Sequence, residues 1–150
     1  YGVGAVVAPN FSLGAVLLMH LAKIASRFFA NAEIIEMHHD KKLDAPSGTA
    51  LATARMMAQA RDSRFVYPPT EKEMLSGARG GELDGIAIHS VRMPGMMAAQ
   101  EVLFGGKGQT LLLRHDATSR ESYMPGVILA VKAVIENRTL IVGLDKLMGL

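Results

Sequence analysis

Two histidines, two lysines and a Ser-Gly-Thr turn crowd into the stretch Glu36-Met-His-His-Asp-Lys-Lys-Leu-Asp-Ala-Pro-Ser-Gly-Thr-Ala50. An imidazole titrates near neutrality, so His38 or His39 can give or take a proton at ordinary pH. Ser47-Gly48-Thr49 entering a helix would present unpaired backbone N–H groups, and Lys42 just upstream adds a full positive charge. The ligand this chemistry suits is a carboxylate or a phosphate. Spacing alone does not choose among proton donor, carboxylate clamp and surface lysine for Lys42, and Lys41 beside it shows how readily a lysine is merely exposed. An isolated histidine is more often structural; Lys42 and the Ser47–Thr49 turn next to this one favour a site. Adjacent strand residues point to opposite faces, so His38 and His39 are not expected to share a metal ion, and no metal is expected.

These residues need elements to position them. Ala32 to Met37 reads as a strand delivering the histidines at its carboxyl end, Pro46 stops it, and Ser47 or Thr49 caps a helix over Ala50 to Arg61. Upstream, Gly4 to Ala8 reads as a buried strand ended by Pro9, and Asn10 or Ser12 caps a helix from Leu13 to Phe29. Gly14 within that helix is either a point of close approach by another backbone or a flat ligand, or a tolerated glycine. Asp62 to Gly81, with Pro68 and Pro69, reads as a long loop whose length suggests a flap. Leu83-Asp84-Gly85-Ile86 carries a tight-turn signal before a strand Ile86 to Arg92, and Met93-Pro94-Gly95 turns the chain into a strand Ala98 to Phe104. Gly105 to Gly108 makes a hairpin into Gln109 to His115. Pro125 starts a helix from Gly126 to Asn137 with Val127, Ile128, Val131, Val134 and Ile135 as its apolar face, and the apolar tail Thr139 to Leu150 must dock on something.

The expected fold is α+β, a mixed, largely antiparallel sheet of about four strands covered by helices. Such a sheet has edges and a second face to protect. Met93, Met96, Met97, Val102, Leu103 and Phe104 supply apolar surface for oligomerisation through it.

Composition narrows the function classes. The chain has 150 residues, 49% hydrophobic and 20% charged, enough for a domain-sized core. With no cysteine there is no disulfide framework and no cysteine zinc site, which fits a reducing cytoplasm. His20, Lys23 and Arg27 interrupt the longest apolar run, so no membrane span is expected, and no signal-peptide pattern opens the chain. A net charge of +2 spread over scattered basic residues gives no nucleic-acid surface. Tyr1-Gly-Val-Gly-Ala-Val-Val, without an initial Met, reads as entry inside a strand, as in a fragment. Gly2-Val3-Gly4 starts like a dinucleotide fingerprint, yet Val7 stands where its third glycine belongs.

The pattern Glu36-x-His-His-x-x-Lys-x-Asp-Ala-Pro-Ser-Gly-Thr-Ala50 resembles the signature of the 4-hydroxy-tetrahydrodipicolinate reductase family, formerly dihydrodipicolinate reductase, of bacterial lysine and diaminopimelate biosynthesis. The resemblance extends over Ala8-Pro-Asn-Phe11 with Ser12-Leu-Gly14, Gly77-Ala-Arg-Gly80, His89-Ser-Val-Arg92, Gln100-Glu-Val-Leu-Phe-Gly105, and Arg114-His115 through Arg120. The family's amino-terminal Rossmann half, with its Gly-rich loop, has no counterpart here. Ala99 departs from the histidine of several relatives.

This resemblance implies that residues 1–12 close a nucleotide-binding domain, 13–118 form a substrate-binding and tetramerisation domain, and 119–150 return to the nucleotide domain. It implies His38 as proton donor or acceptor, Lys42 as second proton donor, and His39 as substrate ligand. Ser47, Gly48 and Thr49 would hold a substrate carboxylate, and Ala8, Pro9, Asn10 and Phe11 would line the nicotinamide end of NADH or NADPH. The implied substrate is a small cyclic dicarboxylate, the assembly a homotetramer, and the piece alone inactive as a reductase. A stand-alone oligomerising module that binds a dicarboxylate without catalysis is the rival reading.

Overall fold

The computed structural model describes residues 2–150; Tyr1, where the chain is read as entering a strand, lies outside them. Strand β1 (Ala5–Val7) and helix α1 (Leu13–Ala25) lead to β2 (Asn31–His38), and helix α2 (Gly48–Gln59) follows. Along β2 the side chains of Ala32, Ile34 and Glu36 are buried, and Ala32 and Ile34 join the core that α1 and α2 cover. The helices meet the sheet through small residues, Ala22, Ala50 and Ala54, with Met57 filling the gap between them. α1 ends earlier than its apolar run suggests, because Phe29 leaves the helix to pack on Phe104 at a ring separation of 5.5 Å.

β3 (Gly81–Leu83), β4 (Ile86–Arg92), β5 (Ala98–Gly106) and β6 (Gln109–Ala117) complete a five-stranded sheet in the order β3-β4-β2-β5-β6. Only β2 and β4 run parallel; every other neighbour is antiparallel. The expected mixed, mainly antiparallel α+β sheet is present, with two differences. β3 is an added edge strand, because Asp84 and Gly85, both at positive φ (52° and 84°), form a primed two-residue turn that folds it back on β4. Met93-Pro94-Gly95 does not close a hairpin. β2 lies between β4 and β5, so the turn carries the chain past its end, and Met93 N–H extends the ladder to His38 O at 3.1 Å.

Val102 and Phe104 are buried under the helices, so they are not part of an assembly surface. The other face carries Ile35 and Leu103 half-buried, with Leu112 exposed. It also carries a polar cluster in which Glu33 accepts from Arg79 and meets the His89 ring, both at 2.8 Å. Arg79 thereby holds the end of the loop before β3, while buried Phe65 and the Val66 N–H bond to Ala30 O hold its start. Among the described residues none of this loop lines the cleft described below.

A 3-10 turn at Arg120–Tyr123 leads into α3 (Met124–Glu136), and the tail forms β7 (Leu140–Val142) and α4 (Asp145–Met148). β7 pairs in parallel with β1, and Leu144 is buried against Val16 and Ala130, so the apolar tail docks within this chain. α3 contradicts its expected orientation. It turns Gly126, Ala130 and Ala133 inward and leaves Ile128, Val131 and Ile135 exposed. Close approach is the reason: a Cβ on Gly126 would stand 2.0 Å from Phe11 O.

Ile34 sits at the centre of the core with no exposed surface. Ile34→Ala is expected to lower the free energy of unfolding by about 2–5 kcal/mol in urea titrations. A loss below about 1 kcal/mol would contradict the central placement of β2.

Candidate active site

The sheet changes character along its helix-covered face. Ile34 pairs with Val102 in the core; the next row on that face holds Ser90, Glu36, Gln100 and His115, and the row beyond holds Arg92, His38, Ala98 and Ala117. At that end, between the carboxyl end of β2, the start of α2 and the segment before α1, opens a cleft of about 720 Å³. His38, His39, Lys42, Ser47, Gly48 and Thr49 all line it, and Pro9, Asn10 and Phe11 do too. Ala8 lies off the cleft, packed into the small core around Val16 and Leu144. The histidines depart from the expected opposite orientation, because β2 ends at His38 and strand alternation does not extend to His39.

Glu36 has no exposed surface, and both its carboxylate oxygens are engaged. Arg92 clamps them from β4, at 2.9 Å to Oε2 and 2.6 Å to Oε1. The Ser47 N–H donates to Oε1 at 3.2 Å, and His38 Nδ1 lies 2.5 Å from Oε2. Burial pushes the Glu36 carboxyl up, but Arg92, Ser90 and His38 together hold it below its ordinary value. The His38 imidazole is pushed down, first by burial, against the opposing pull of Glu36, with Lys42 and Arg92 adding to the depression. Arg92 also donates to Asp44 O at 2.7 Å, so one ion pair fixes the loop before α2.

Ser47 caps α2, its hydroxyl accepting from Ala50 N–H at 3.2 Å. Its own N–H is spent on Glu36. Gly48 and Thr49 precede the first intrahelical bond, Leu51 N–H to Ser47 O, so their amides are the ones an anion can use. Lys42 Nζ bonds Asp44 Oδ1 at 2.6 Å. The Asp44 carboxyl is held below its ordinary value first by Lys42 and further by backbone amides, Gly48's among them. An anionic group of the chain itself thus sits between Lys42 and the α2 N-terminus.

Several cleft residues are missed by reading the sequence. His115 meets Ser12 Oγ at 3.2 Å, and a Cβ on Gly14 would fall 2.5 Å from its ring, so Gly14 admits an imidazole. Ser12 therefore does not cap α1 with its side chain; Asn10 Oδ1 accepts the Ser12 N–H instead, while Asn10 Nδ2 reaches Thr49 Oγ1 at 3.2 Å. Gln100 donates to Thr53 Oγ1 at 2.9 Å and borders the cleft with Arg120 and Tyr123. The signal for Glu36 was in the sequence: two residues before His38, it must share its face.

A helix N-terminus, a lysine and a carboxylate-braced imidazole thus meet at one end of the central strand of an α+β sheet. The chain belongs to the family described as dihydrodipicolinate reductase, C-terminus, whose model matches residues 14–148. A 4-hydroxy-tetrahydrodipicolinate reductase of Dehalococcoides mccartyi is 58% identical over 148 residues, covering 99% of this chain and 56% of the relative. One from Geobacillus kaustophilus is 57% identical over 146 residues, covering 97% and 55%. A solved structure, a dipicolinate-bound dihydrodipicolinate reductase from a Paenisporosarcina species, matches with a TM-score of 0.85 at 54% identity, covering 97% of this chain and 55% of that one. The chain spans about half the length of the curated relatives it matches. Among the described residues, no helix is long and apolar enough to cross a membrane.

Linkage gives the pH dependence. Glu36 titrates lower in the folded chain than its ordinary 4.5, so its stabilisation is complete above that value and is lost as acid carries the pH down through the folded value. His38 and His115 sit below their ordinary 6.5, so the unfolded chain takes up protons first and stability begins to fall below 6.5. Urea unfolding across pH is expected to show both declines. Arg92→Ala, which strands a buried carboxylate, is expected to cost about 3–5 kcal/mol at neutral pH and to flatten the lower decline. A cost near zero would contradict the pairing.

Proposed function

We infer that this chain is the substrate-binding and proton-supplying part of a nicotinamide-dependent 4-hydroxy-tetrahydrodipicolinate reductase acting in lysine and diaminopimelate biosynthesis. The observation that carries this reading is the convergence of Lys42, His38 and the Gly48 and Thr49 amides on one cleft. The substrate is a cyclic dicarboxylate. One of its carboxylates accepts from Gly48 and Thr49, with Ser47 fixing that turn, and displaces Asp44 from Lys42. His39 borders the same cleft and contacts the ring or its second carboxylate.

The cofactor, NADH or NADPH, supplies the hydride when bound. The cleft exceeds what a single dicarboxylate ring fills, and the free space along Pro9, Asn10 and Phe11 suits a nicotinamide ring. Hydride addition leaves electron density on a ring carbon conjugated with nitrogen. Lys42, a cationic acid, and His38 in its protonated form quench it by supplying charge and a proton.

In this reading residues 1–12 end a nucleotide-binding domain, 13–118 bind substrate and build a homotetramer through the open sheet face, and 119–150 return to the nucleotide domain. Exposed Ile128, Val131 and Ile135 on α3, with Val7 and Val142 on the paired β1 and β7, are apolar surface that such a domain would cover. By itself the chain binds dicarboxylate and does not turn over, and the whole protein works in the cytoplasm.

Calorimetry with pyridine-2,6-dicarboxylate tests the carboxylate grip. Lys42→Ala is expected to weaken binding about 10- to 100-fold, the worth of a charge-assisted hydrogen bond. Equal affinities would remove Lys42 from the site. In the full-length protein, His38→Ala is expected to lower kcat by about 10²-fold or more; unchanged turnover would leave His38 architectural.

A further inference from the structure

Glu36 touches no part of the cleft that a ligand would fill, yet it holds three of the groups that border it or support it. Its Oε2 lies 2.5 Å from His38 Nδ1, its Oε1 accepts the Ser47 N–H, and Arg92 locks both oxygens in place. A carboxylate with no exposed surface and two guanidinium bonds stays ionised and acceptor-only. The imidazole nitrogen facing it must therefore be the one that carries hydrogen.

The geometry points to Glu36 as a positioning residue that fixes His38 in its Nδ1–H tautomer, so that every proton exchanged with a ligand passes through Nε2. When His38 is neutral, Nε2 offers a lone pair and takes a proton. When it is an imidazolium, Nε2 releases that proton to the ligand and the imidazole returns to neutrality, while the Nδ1–H remains on Glu36 throughout. The charge balance around the ring is set by Glu36 on its own strand, Arg92 on β4 and Lys42 on the following loop, with Asp44 paired to Lys42. Titratable His39 and cationic Arg120 share the cleft, and Ala98 and Ala117, beside His38 in its row, bring no charge. The same carboxylate holds Ser47, so one buried group sets the proton carrier and the start of the anion cradle in register. This inference rests on the reading of His38 as the proton-exchanging group.

Long-range ¹H–¹⁵N correlation on the ¹⁵N-histidine-labelled chain reads the tautomer without any turnover, with His38→Gln assigning the signals. Above its titration His38 is expected to show a protonated Nδ1 and a bare Nε2. Glu36→Gln keeps an oxygen for Ser47 and Arg92 but turns an amide N–H toward the ring, and is expected to reverse the tautomer. In the full-length protein the same substitution is expected to lower kcat by about 10²- to 10⁴-fold, with affinity for pyridine-2,6-dicarboxylate changed less than about tenfold. A wild-type ring protonated on Nε2 overturns the inference, as does a tautomer that Glu36→Gln leaves in place. Should Glu36→Gln fail to fold, the wild-type tautomer decides by itself. Absent dicarboxylate binding would instead sink the functional reading and leave the tautomer standing.

Discussion

A carboxylate with no contact to water has to be compensated by its neighbours, and Glu36 is compensated from four directions. Removing it from solvent costs several kcal/mol, and that cost is met only if charge and every lone pair find partners. Arg92 supplies the charge, while Ser47, His38 and Ser90 share the rest. Sheet order follows the same logic. Parallel pairing places Arg92 opposite His38 and diagonal to Glu36 on one face. A hairpin between β4 and β5 would have put another strand between them. The loop before α2 is bound to this pair through Asp44 O, so sheet, loop and helix start share one anchor.

Local features were legible in the sequence and long-range ones were not. The strand entering His38, the turn at Ser47 and the helix after it are written in contiguous residues, and each lies within a residue or two of where propensity and capping place it. The Asp84-Gly85 turn was readable for the same reason, since backbone chemistry there is local. Insertion of β2 between β4 and β5 was not, because alternation along a strand says which face a side chain takes and nothing about its neighbour. Gln100 and His115 reach the cleft, and Arg92 reaches Glu36, only through the register of three strands, so no short window of sequence contains them together.

Packing settles the local reading at two places. At Gly14 the sequence leaves close approach and a tolerated glycine both open, and packing decides for the first: an imidazole occupies the space a side chain would need. On α3 the bulky stripe reads as the buried face. The small residues won, and at Gly126 the reason is close approach, since a Cβ there would stand 2.0 Å from the Phe11 carbonyl oxygen and 2.8 Å from the Leu144 side chain. What remains outside is an apolar stripe of Ile128, Val131 and Ile135.

Lys42 and Asp44 give the site a resting state. Their bond at 2.6 Å keeps the ammonium beside the α2 N-terminus, with an internal carboxylate at the place the proposed function gives to a ligand's. The most direct test is a crystal structure of the chain grown with pyridine-2,6-dicarboxylate. The account predicts one ligand carboxylate on the Gly48 and Thr49 amides, with Lys42 turned from Asp44 onto it and the Glu36–Arg92 pair unmoved. A ligand seated away from the start of α2, with Lys42 still on Asp44, would contradict it.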